Sequence, residues 1–316
     1  MSARRVILDV DTGLDDAVAI MMAARDPALK VEGITVTAGN QTLPKTLRNT
    51  LNLCSALRIA APVFSGMSRP LMRELVPAAY IHGESGFDGP VFDSCDKLPE
   101  RAHAVNFIVE TVMAAPSGEI TLIAVGPLSN VAMALRLEPA IAPRLRELVI
   151  MGGSIGKGNV TPSAEFNIHA DPEAAAIVFA SGTEIAMIGL DLTTTVVLDD
   201  DRLASLRSIP GRAAEIFGQS MERYSAATRR FAGECPAMHD PCCVAYASDP
   251  SIFESEPYNV EIELSGQHTL GRTVVDVAGT TGKKPNARVV LSVDRPRFWK
   301  LLEESLGRYR DIPGRN

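Results

Sequence analysis

The feature that most constrains the fold of this 316-residue chain is a short apolar run that ends in four aspartates. The run covers residues 5–8, and Asp9, Asp11, Asp15 and Asp16 follow within eight residues. A β-branched, apolar run without alternation is typical of a strand buried on both faces. Acids in the next turn are typical of a helix start. The aspartates are therefore predicted where a first strand leads into a first helix, at the edge where open α/β sheets bind ligands.

Carboxylates this close together repel one another, so that in isolation some would take up a proton or turn out to solvent. A hard divalent cation removes the repulsion, and ligands that are all oxygen favour Ca²⁺ or Mg²⁺ over Zn²⁺. One or two aspartates would also fit an acidic helix start with solvated charge, but four around one strand end fit it poorly. The sequence therefore predicts a cation site here.

Strands and helices alternate along the rest of the chain. Further strands are predicted over residues 30–37, 61–64, 120–125 and 148–151, and helices over 42–57, 102–114 and 241–247. Residues 66–99 are irregular and rich in Gly and Pro, and so long a loop in a compact domain is usually functional. The βαβα order predicts a single domain over residues 1–316: an open, mostly parallel (mixed), Rossmann-like sheet with helices on both faces and the active site at the carboxyl edge.

Composition narrows the class of protein. The formal charge of −7 argues against nucleic acid or an anionic membrane as a partner. No apolar stretch is long enough to span a bilayer, and no signal-peptide core precedes Asp9. The spacing of the five cysteines matches neither a disulfide framework nor a zinc site. We therefore expect a cytoplasmic enzyme with reduced thiols.

A second polar set follows the predicted strand that ends at Met151. The next loop contains Asn159, Glu165 and Asn167, and such amides and carboxylates hydrogen-bond to sugar hydroxyls. Each of them alone could equally be an ordinary loop residue. The glycines of this loop do not have the spacing of a phosphate-binding loop.

A third polar pair, His239 and Asp240, is adjacent in a Pro-rich turn that opens a helix at Pro241. An aspartate before Pro at a helix start is commonly an N-cap. Capping and metal ligation do not exclude each other, so Asp240 is open to both interpretations.

The motif Asp9-Val10-Asp11-Thr12-Gly13-Leu14-Asp15-Asp16 resembles the DxDxGxDD-type signature of the calcium-dependent nucleoside N-ribohydrolases, the inosine-uridine-preferring family. Later segments occur in that family's order over nearly the whole chain: residues 37–40, 82–83, 125–130, 159–171 and 239–240. The resemblance implies hydrolysis of small-molecule ribonucleosides to free base and ribose, a role in nucleoside salvage or catabolism, and a homodimer or homotetramer.

The resemblance also implies roles for single residues. A Ca²⁺ ion is expected on Asp11, Asp16, Asp240 and the main-chain carbonyl of Val125, with Asp11 as the base that activates a calcium-bound water. His239 is expected to protonate the leaving base. The expected substrate contacts are Asp15, Asn40, His82, Met151, Asn159, Glu165, Phe166, Asn167, Tyr224 and Thr228.

The surroundings of the base depart from part of that family. Some members carry aromatic residues around the base, including tyrosines on the helix before the His-Asp turn, whereas Thr228 stands one turn after Tyr224 here. The sequence therefore leaves the choice between purine and pyrimidine nucleosides open.

Two other classes of function are considered. Residues 9–12 also resemble the nucleophile motif of haloacid-dehalogenase-type phosphatases, but that class needs Thr or Val where Gly13 stands and a later lysine and acidic pair. A single short motif is weak evidence. A non-catalytic nucleoside-binding protein would keep the sugar contacts but would not need Asp11.

Overall fold

The computed structural model describes residues 3–93 and 95–314, and its centre is an eight-stranded sheet with the order β3-β2-β1-β4-β5-β6-β10-β7. Neighbouring strands are parallel except at the edge, where β7 runs antiparallel to β10. A separate antiparallel ribbon pairs β8 with β9. The strands are β1 (Arg4–Val10), β2 (Leu29–Val36), β3 (Val63–Ser65), β4 (Ile120–Ala124), β5 (Glu147–Met151), β6 (Ile185–Ile188), β7 (Phe253–Tyr258), β8 (Val260–Ile262), β9 (Thr273–Val275) and β10 (Ala287–Val293). The prediction of an open, mostly parallel sheet is confirmed.

Helices connect most of these strands. They are α1 (Asp16–Ala24), α2 (Leu43–Ala56), α3 (Ala79–His82), α4 (Ala104–Ala114), α5 (Ser129–Leu137), α6 (Phe166–Ala170), α7 (Pro172–Phe179), α8 (Leu190–Thr193), α9 (Asp200–Arg207), α10 (Arg212–Ala232), α11 (Asp240–Ser248) and α12 (Arg295–Gly307). The predicted irregular region over residues 66–99 contains the short helix α3, and its Ser94 lies outside the described residues. None of the described helices has the length and apolarity needed to cross a membrane.

The sheet is covered on both faces, as the apolar strands predict. On β1, Val6 and Leu8 belong to one core cluster and Ile7 to the other. Helices α1, α2, α10, α11 and α12 contribute to the first cluster, and α4, α5 and α7 to the second. Successive residues of one strand thus face opposite layers, which is why the strand sequence is apolar throughout.

The parallel register brings the ends of three central strands to one level. Asp9 of β1 pairs with Ala124 of β4, and Ala124 pairs with Ile150 of β5. The segments that leave these strands therefore emerge side by side at one edge of the sheet. All five cysteines are free thiols, in agreement with the expectation from their spacing.

Candidate active site

A cluster of buried carboxylates lies at this edge of the sheet. Oxygen atoms of Asp15, Asp16 and Asp240 all lie within 4.8 Å of one another. Asp11 belongs to the same group, since the charge of Asp16 acts directly on its carboxyl. The Oδ1 atom of Asp11 is buried and has no hydrogen-bond partner. The structure therefore brings together the three carboxylates predicted as cation ligands and adds Asp15, which the sequence assigned to the sugar.

Local backbone geometry fixes the cluster. Asp16 accepts hydrogen bonds from the backbone N–H groups of Asp11 (3.0 Å) and Gly13 (2.8 Å), which folds the chain tightly between β1 and α1. Asn40, which follows β2, donates from its backbone to Asp11 Oδ2 (2.6 Å) and from its side chain to Asp16 Oδ2 (3.0 Å). At Gly39 a Cβ atom would collide with Asp11 Oδ2 and with the Pro127 ring, so this close approach requires glycine.

Burial and mutual repulsion raise the pKa values of the carboxyl groups. Burial is the largest cause for Asp11 and Asp240, whose pKa values lie well above the ordinary value, and neighbouring aspartates add to it. Burial raises the pKa of Asp15 to about 6, and burial with the charge of Asp15 raises that of Asp16 to about 6. Ionising these carboxyl groups together is therefore unfavourable. A bound cation stabilises the ionised forms because its positive charge offsets their mutual repulsion. An all-oxygen donor set with an unpartnered Asp11 oxygen fits a hard cation such as Ca²⁺ or Mg²⁺.

The Val125 carbonyl also lies at this site. Asn167 Nδ2 donates to the Val125 carbonyl (2.7 Å) and to the Met151 carbonyl (3.1 Å), and so ties the end of β5 to the segment after β4. A carbonyl oxygen has two lone pairs, so the contact with Asn167 leaves the Val125 oxygen one further position for a cation.

Two side chains to which sequence reasoning gave no role, Thr35 and Asn130, support the site by holding Asp9. Asp9 is fully buried, and its Oδ1 accepts hydrogen bonds from Thr35 Oγ1 (2.6 Å) and Asn130 Nδ2 (2.7 Å). Asn130 also accepts from the backbone N–H of Met67 (2.8 Å). Asp9 therefore joins β2, α5 and the loop after β3. The Gly-Pro-Leu-Ser-Asn segment was a signal for Asn130, whereas Thr35 lies in an ordinary strand pattern.

The loop after β5 supplies the second polar group. Glu165 caps α6, and its carboxylate accepts from the backbone N–H groups of Asn167 (2.9 Å), Gly153 (2.9 Å) and Ile168 (3.1 Å). Burial raises its pKa to about 6. Asn159 Oδ1 accepts from the Phe166 backbone (2.9 Å), which holds the loop against α6.

Two histidines face the same space. His82 Nδ1 accepts from the Leu14 backbone N–H (3.2 Å), so its ring proton is on Nε2. His239 Nδ1 lies 2.8 Å from Thr193 Oγ1, a contact that the sequence did not indicate. Burial lowers the pKa of His82 to about 3 and that of His239 to about 4, so both rings are neutral at pH 7. The Tyr224 ring lies 6.3 Å from the His82 ring, centre to centre.

These groups open into one cavity of about 1030 Å³. All ten residues predicted as substrate contacts line it, together with Val125, His239 and Asp240. Asp11 and Asp16 are buried and do not line the cavity wall. Two exposed residues of its lining also contact each other, Tyr80 of α3 and Phe231 of α10, with ring centres 5.5 Å apart. The sequence thus placed these residues around one space, while their individual roles stay predictions.

Residues 6–300 match the family model described as inosine-uridine preferring nucleoside hydrolase. The chain belongs to this family. It is 47% identical to the pyrimidine-specific ribonucleoside hydrolase RihB of Escherichia coli (strain SE11) over 311 residues, which cover 98% of this chain and 99% of that protein. The protein is therefore an enzyme, a ribonucleoside hydrolase that acts on N-glycosyl bonds.

Solved structures agree with this assignment. A purine-preferring ribonucleoside hydrolase from Gardnerella vaginalis superposes with a TM-score of 0.92 at 31% identity, covering 98% of this chain and 100% of that one. An inosine-guanosine nucleoside hydrolase superposes with a TM-score of 0.88 at 30% identity, covering 97% and 99%. Family membership sets aside the phosphatase and the non-catalytic alternatives.

The close approach at Gly39 gives a first test of the site. Gly39→Ala places a methyl group against Asp11 and Pro127 and displaces the Asp11 carboxylate. Misplacing a reacting group by about 1 Å costs on the order of 10²-fold in rate, so we expect a loss of nucleoside hydrolysis of that size. The control is Gly307→Ala, where the added Cβ would meet Arg310 side-chain atoms at 3.8 Å. Equal kcat/KM in both folded variants would contradict the geometry described for Asp11.

Proposed function

We propose that this enzyme hydrolyses ribonucleosides to free base and ribose with the aid of Ca²⁺. The observation that carries the proposal is the buried, unpartnered Asp11 Oδ1 beside the Asp15–Asp16–Asp240 cluster, in contact with the residues that line the cavity. Asp11, Asp16, Asp240 and the Val125 carbonyl would hold the ion. When bound, Ca²⁺ supplies Lewis acidity, which lowers the pKa of a water molecule and orients sugar hydroxyls.

Asp11 is the group best placed to act as the general base. Its Oδ2 is held by the Asn40 backbone, whereas its Oδ1 has no protein partner. Asp11 accepts the proton of the water that attacks the anomeric carbon, and the N-glycosidic bond breaks toward the base. The fixed position of its other oxygen keeps Asp11 oriented for this transfer.

Ribose recognition divides between two parts of the cavity. Asp15, which belongs to the acidic cluster, and Asn40 and Asn167, which lie beside it, would bind the vicinal 2′- and 3′-hydroxyls. Glu165 and Asn159 lie on the loop after β5 and would bind the remaining hydroxyl, at C5′. The carboxylates also stabilise the positive charge that develops on the ribose ring as the bond to the base breaks.

The leaving base would lie among His82, His239, Tyr224, Thr228 and Phe166. When Thr193 donates to Nδ1 of the neutral His239 ring, the ring proton lies on Nε2, and His239 meets the departing base as a hydrogen-bond donor through that nitrogen. The RihB relative is named pyrimidine-specific and the Gardnerella enzyme purine-preferring. The higher identity to the former, 47% against 31%, supports pyrimidine ribonucleosides as the preferred substrates. The homodimer or homotetramer and the cytoplasmic location expected from the sequence stay predictions.

Metal removal tests the proposed function most simply. We expect that a chelator abolishes release of ribose from uridine and that Ca²⁺ restores it better than Zn²⁺, because the ligand atoms are all oxygen. Free ribose is measured with uridine, cytidine, inosine and adenosine in parallel, with the pyrimidine nucleosides expected to be cleaved faster. Full activity of the metal-free enzyme, or restoration by Zn²⁺ alone, would refute the proposed cation.

Separate substitutions distinguish the two members of the His239–Asp240 pair. Asp240→Ala removes a proposed ligand and should weaken Ca²⁺ affinity and slow every substrate alike. His239→Ala should spare Ca²⁺ binding and slow uridine cleavage about 10²- to 10⁴-fold, the usual effect of losing a positioned proton donor. It should leave the p-nitrophenyl riboside almost unaffected, since that leaving group needs no proton. An equal loss on both substrates would show that His239 shapes the pocket and does not assist the leaving base.

A further inference from the structure

The β8–β9 ribbon is an excursion from the main sheet that reaches the substrate-binding loop. It occupies residues 259–286, which lie between β7 and β10 in the sequence. Strands β7 and β10 pair directly with each other, so the ribbon takes no part in the main sheet. Asn286 closes its base by accepting from the Val260 backbone N–H (2.8 Å) and donating to the Val260 carbonyl (2.9 Å). The fully buried Val260 packs in the core cluster that includes α7. The ribbon is thus anchored to the core at the end that contains Val260 and Asn286.

Thr273, the first residue of β9, binds the loop after β5 through both functions of its hydroxyl. The Ser154 backbone N–H donates to Thr273 Oγ1 (2.8 Å), and Thr273 Oγ1 donates to the Ser154 carbonyl (2.6 Å). Thr273 is 2% exposed, so this contact is shielded from water. Gly153 has φ +75°, and a Cβ there would lie 2.6 Å from Thr273 Cγ2. The Gly153 backbone and the Thr273 side chain are therefore in close contact.

The ribbon also holds the rest of that loop. Arg272 Nη2 donates to the Ile155 carbonyl (3.2 Å), and the Leu270 carbonyl lies 3.1 Å from His169 Nδ1 in α6. The ribbon therefore contacts the segment from residue 154 to residue 169 near both of its ends, at residues 154–155 and at residue 169. Between those points lie Asn159, Glu165 and Asn167, the polar residues proposed to bind ribose.

Two successive backbone N–H groups connect Thr273 to Glu165. The Gly153 N–H donates to Glu165 Oε2 (2.9 Å), and the next N–H along the chain, that of Ser154, donates to Thr273. Rotation of this backbone would move a donor that holds the Glu165 carboxylate. The Thr273 hydroxyl prevents that rotation because it binds both the N–H and the carbonyl of Ser154.

We propose that Thr273 is a positioning residue that fixes Glu165 through the Gly153–Ser154 backbone and thereby sets recognition of the ribose 5′-hydroxyl. This inference rests on the proposed function, in which Glu165 and Asn159 bind that hydroxyl. It makes the β8–β9 ribbon a part of the substrate site, although Thr273 does not line the cavity.

The test compares kcat/KM for uridine and 5′-deoxyuridine in three variants. Thr273→Val keeps the shape but removes the hydroxyl, and Thr273→Ser keeps the hydroxyl. Thr281→Val is the matched control, since Thr281 Oγ1 donates to Asp276 (2.6 Å) in the exposed segment between β9 and β10. We expect Thr273→Val to lower kcat/KM for uridine about three- to tenfold, the size of the effect when one hydrogen bond to the 5′-hydroxyl is weakened, and to change 5′-deoxyuridine cleavage less than twofold. Thr273→Ser and Thr281→Val should match the wild type on both substrates.

Each outcome is decisive because the second substrate lacks the hydroxyl in question. An equal loss on uridine and 5′-deoxyuridine, or no loss on uridine, would overturn the role of Thr273. If Thr273→Val does not fold, Arg272→Met, which removes the contact with Ile155, should show the same substrate-dependent loss, and an equal loss there would overturn the proposal. The wild-type enzyme distinguishes failure of the proposed function from failure of the role of Thr273. If it does not release ribose from uridine, the proposed function is refuted. If it cleaves uridine with a strong preference over 5′-deoxyuridine, the proposed function holds and the variants test only the role of Thr273.

Discussion

The structure depends on keeping five carboxyl groups buried in one place. Asp9, Asp11, Asp15, Asp16 and Asp240 are each between 0% and 5% exposed. Buried carboxylates without partners are strongly destabilising, and here every pKa of the group is raised. Backbone N–H groups and the Asn40 amide offset part of this cost. The remaining negative charge is what makes the site suited to a divalent cation and to a ribose ring that becomes positive.

The fold assembles this cluster from distant parts of the chain. Asp11 follows β1 and Asn40 follows β2, whereas Asp16 and Asp240 begin α1 and α11. The first turns of two helices therefore meet at the cluster, and the partial positive charge of a helix N-terminus stabilises anionic groups there. The cavity is lined both by members of this cluster, Asp15 and Asp240, and by residues of the loop after β5.

The sheet and the acidic cluster could be predicted from the sequence because both depend on patterns of residues that are close together in the chain. Apolar strands predict burial on two faces, and the four closely spaced aspartates predict an acidic cluster at the strand end, which the structure assembles. That this cluster holds a cation stays a prediction. Asp15 was assigned to ribose, and its carboxylate both lines the cavity and lies in the cluster with Asp16 and Asp240. Its contact with ribose stays a prediction, since a position between the cluster and the cavity is compatible with either role.

Contacts between distant loops could not be predicted in the same way. Thr193 beside His239, Thr35 beside Asp9 and Thr273 beside Ser154 join segments that are 26 to 119 residues apart. Each is a single threonine in an ordinary strand or helix context, where hydroxyls most often serve local hydrogen bonds. Only the tertiary register of the sheet and the ribbon brings these hydroxyls to their partners.

The most direct measurement is X-ray diffraction from crystals grown with Ca²⁺, collected at a long wavelength where calcium scatters anomalously. We expect one anomalous peak per chain between Asp11, Asp16 and Asp240, with their oxygens and the Val125 carbonyl at about 2.3–2.6 Å. A peak at another place, or a fully active enzyme whose acidic cluster shows no peak, would contradict the central claim that these buried carboxylates exist to hold the cation.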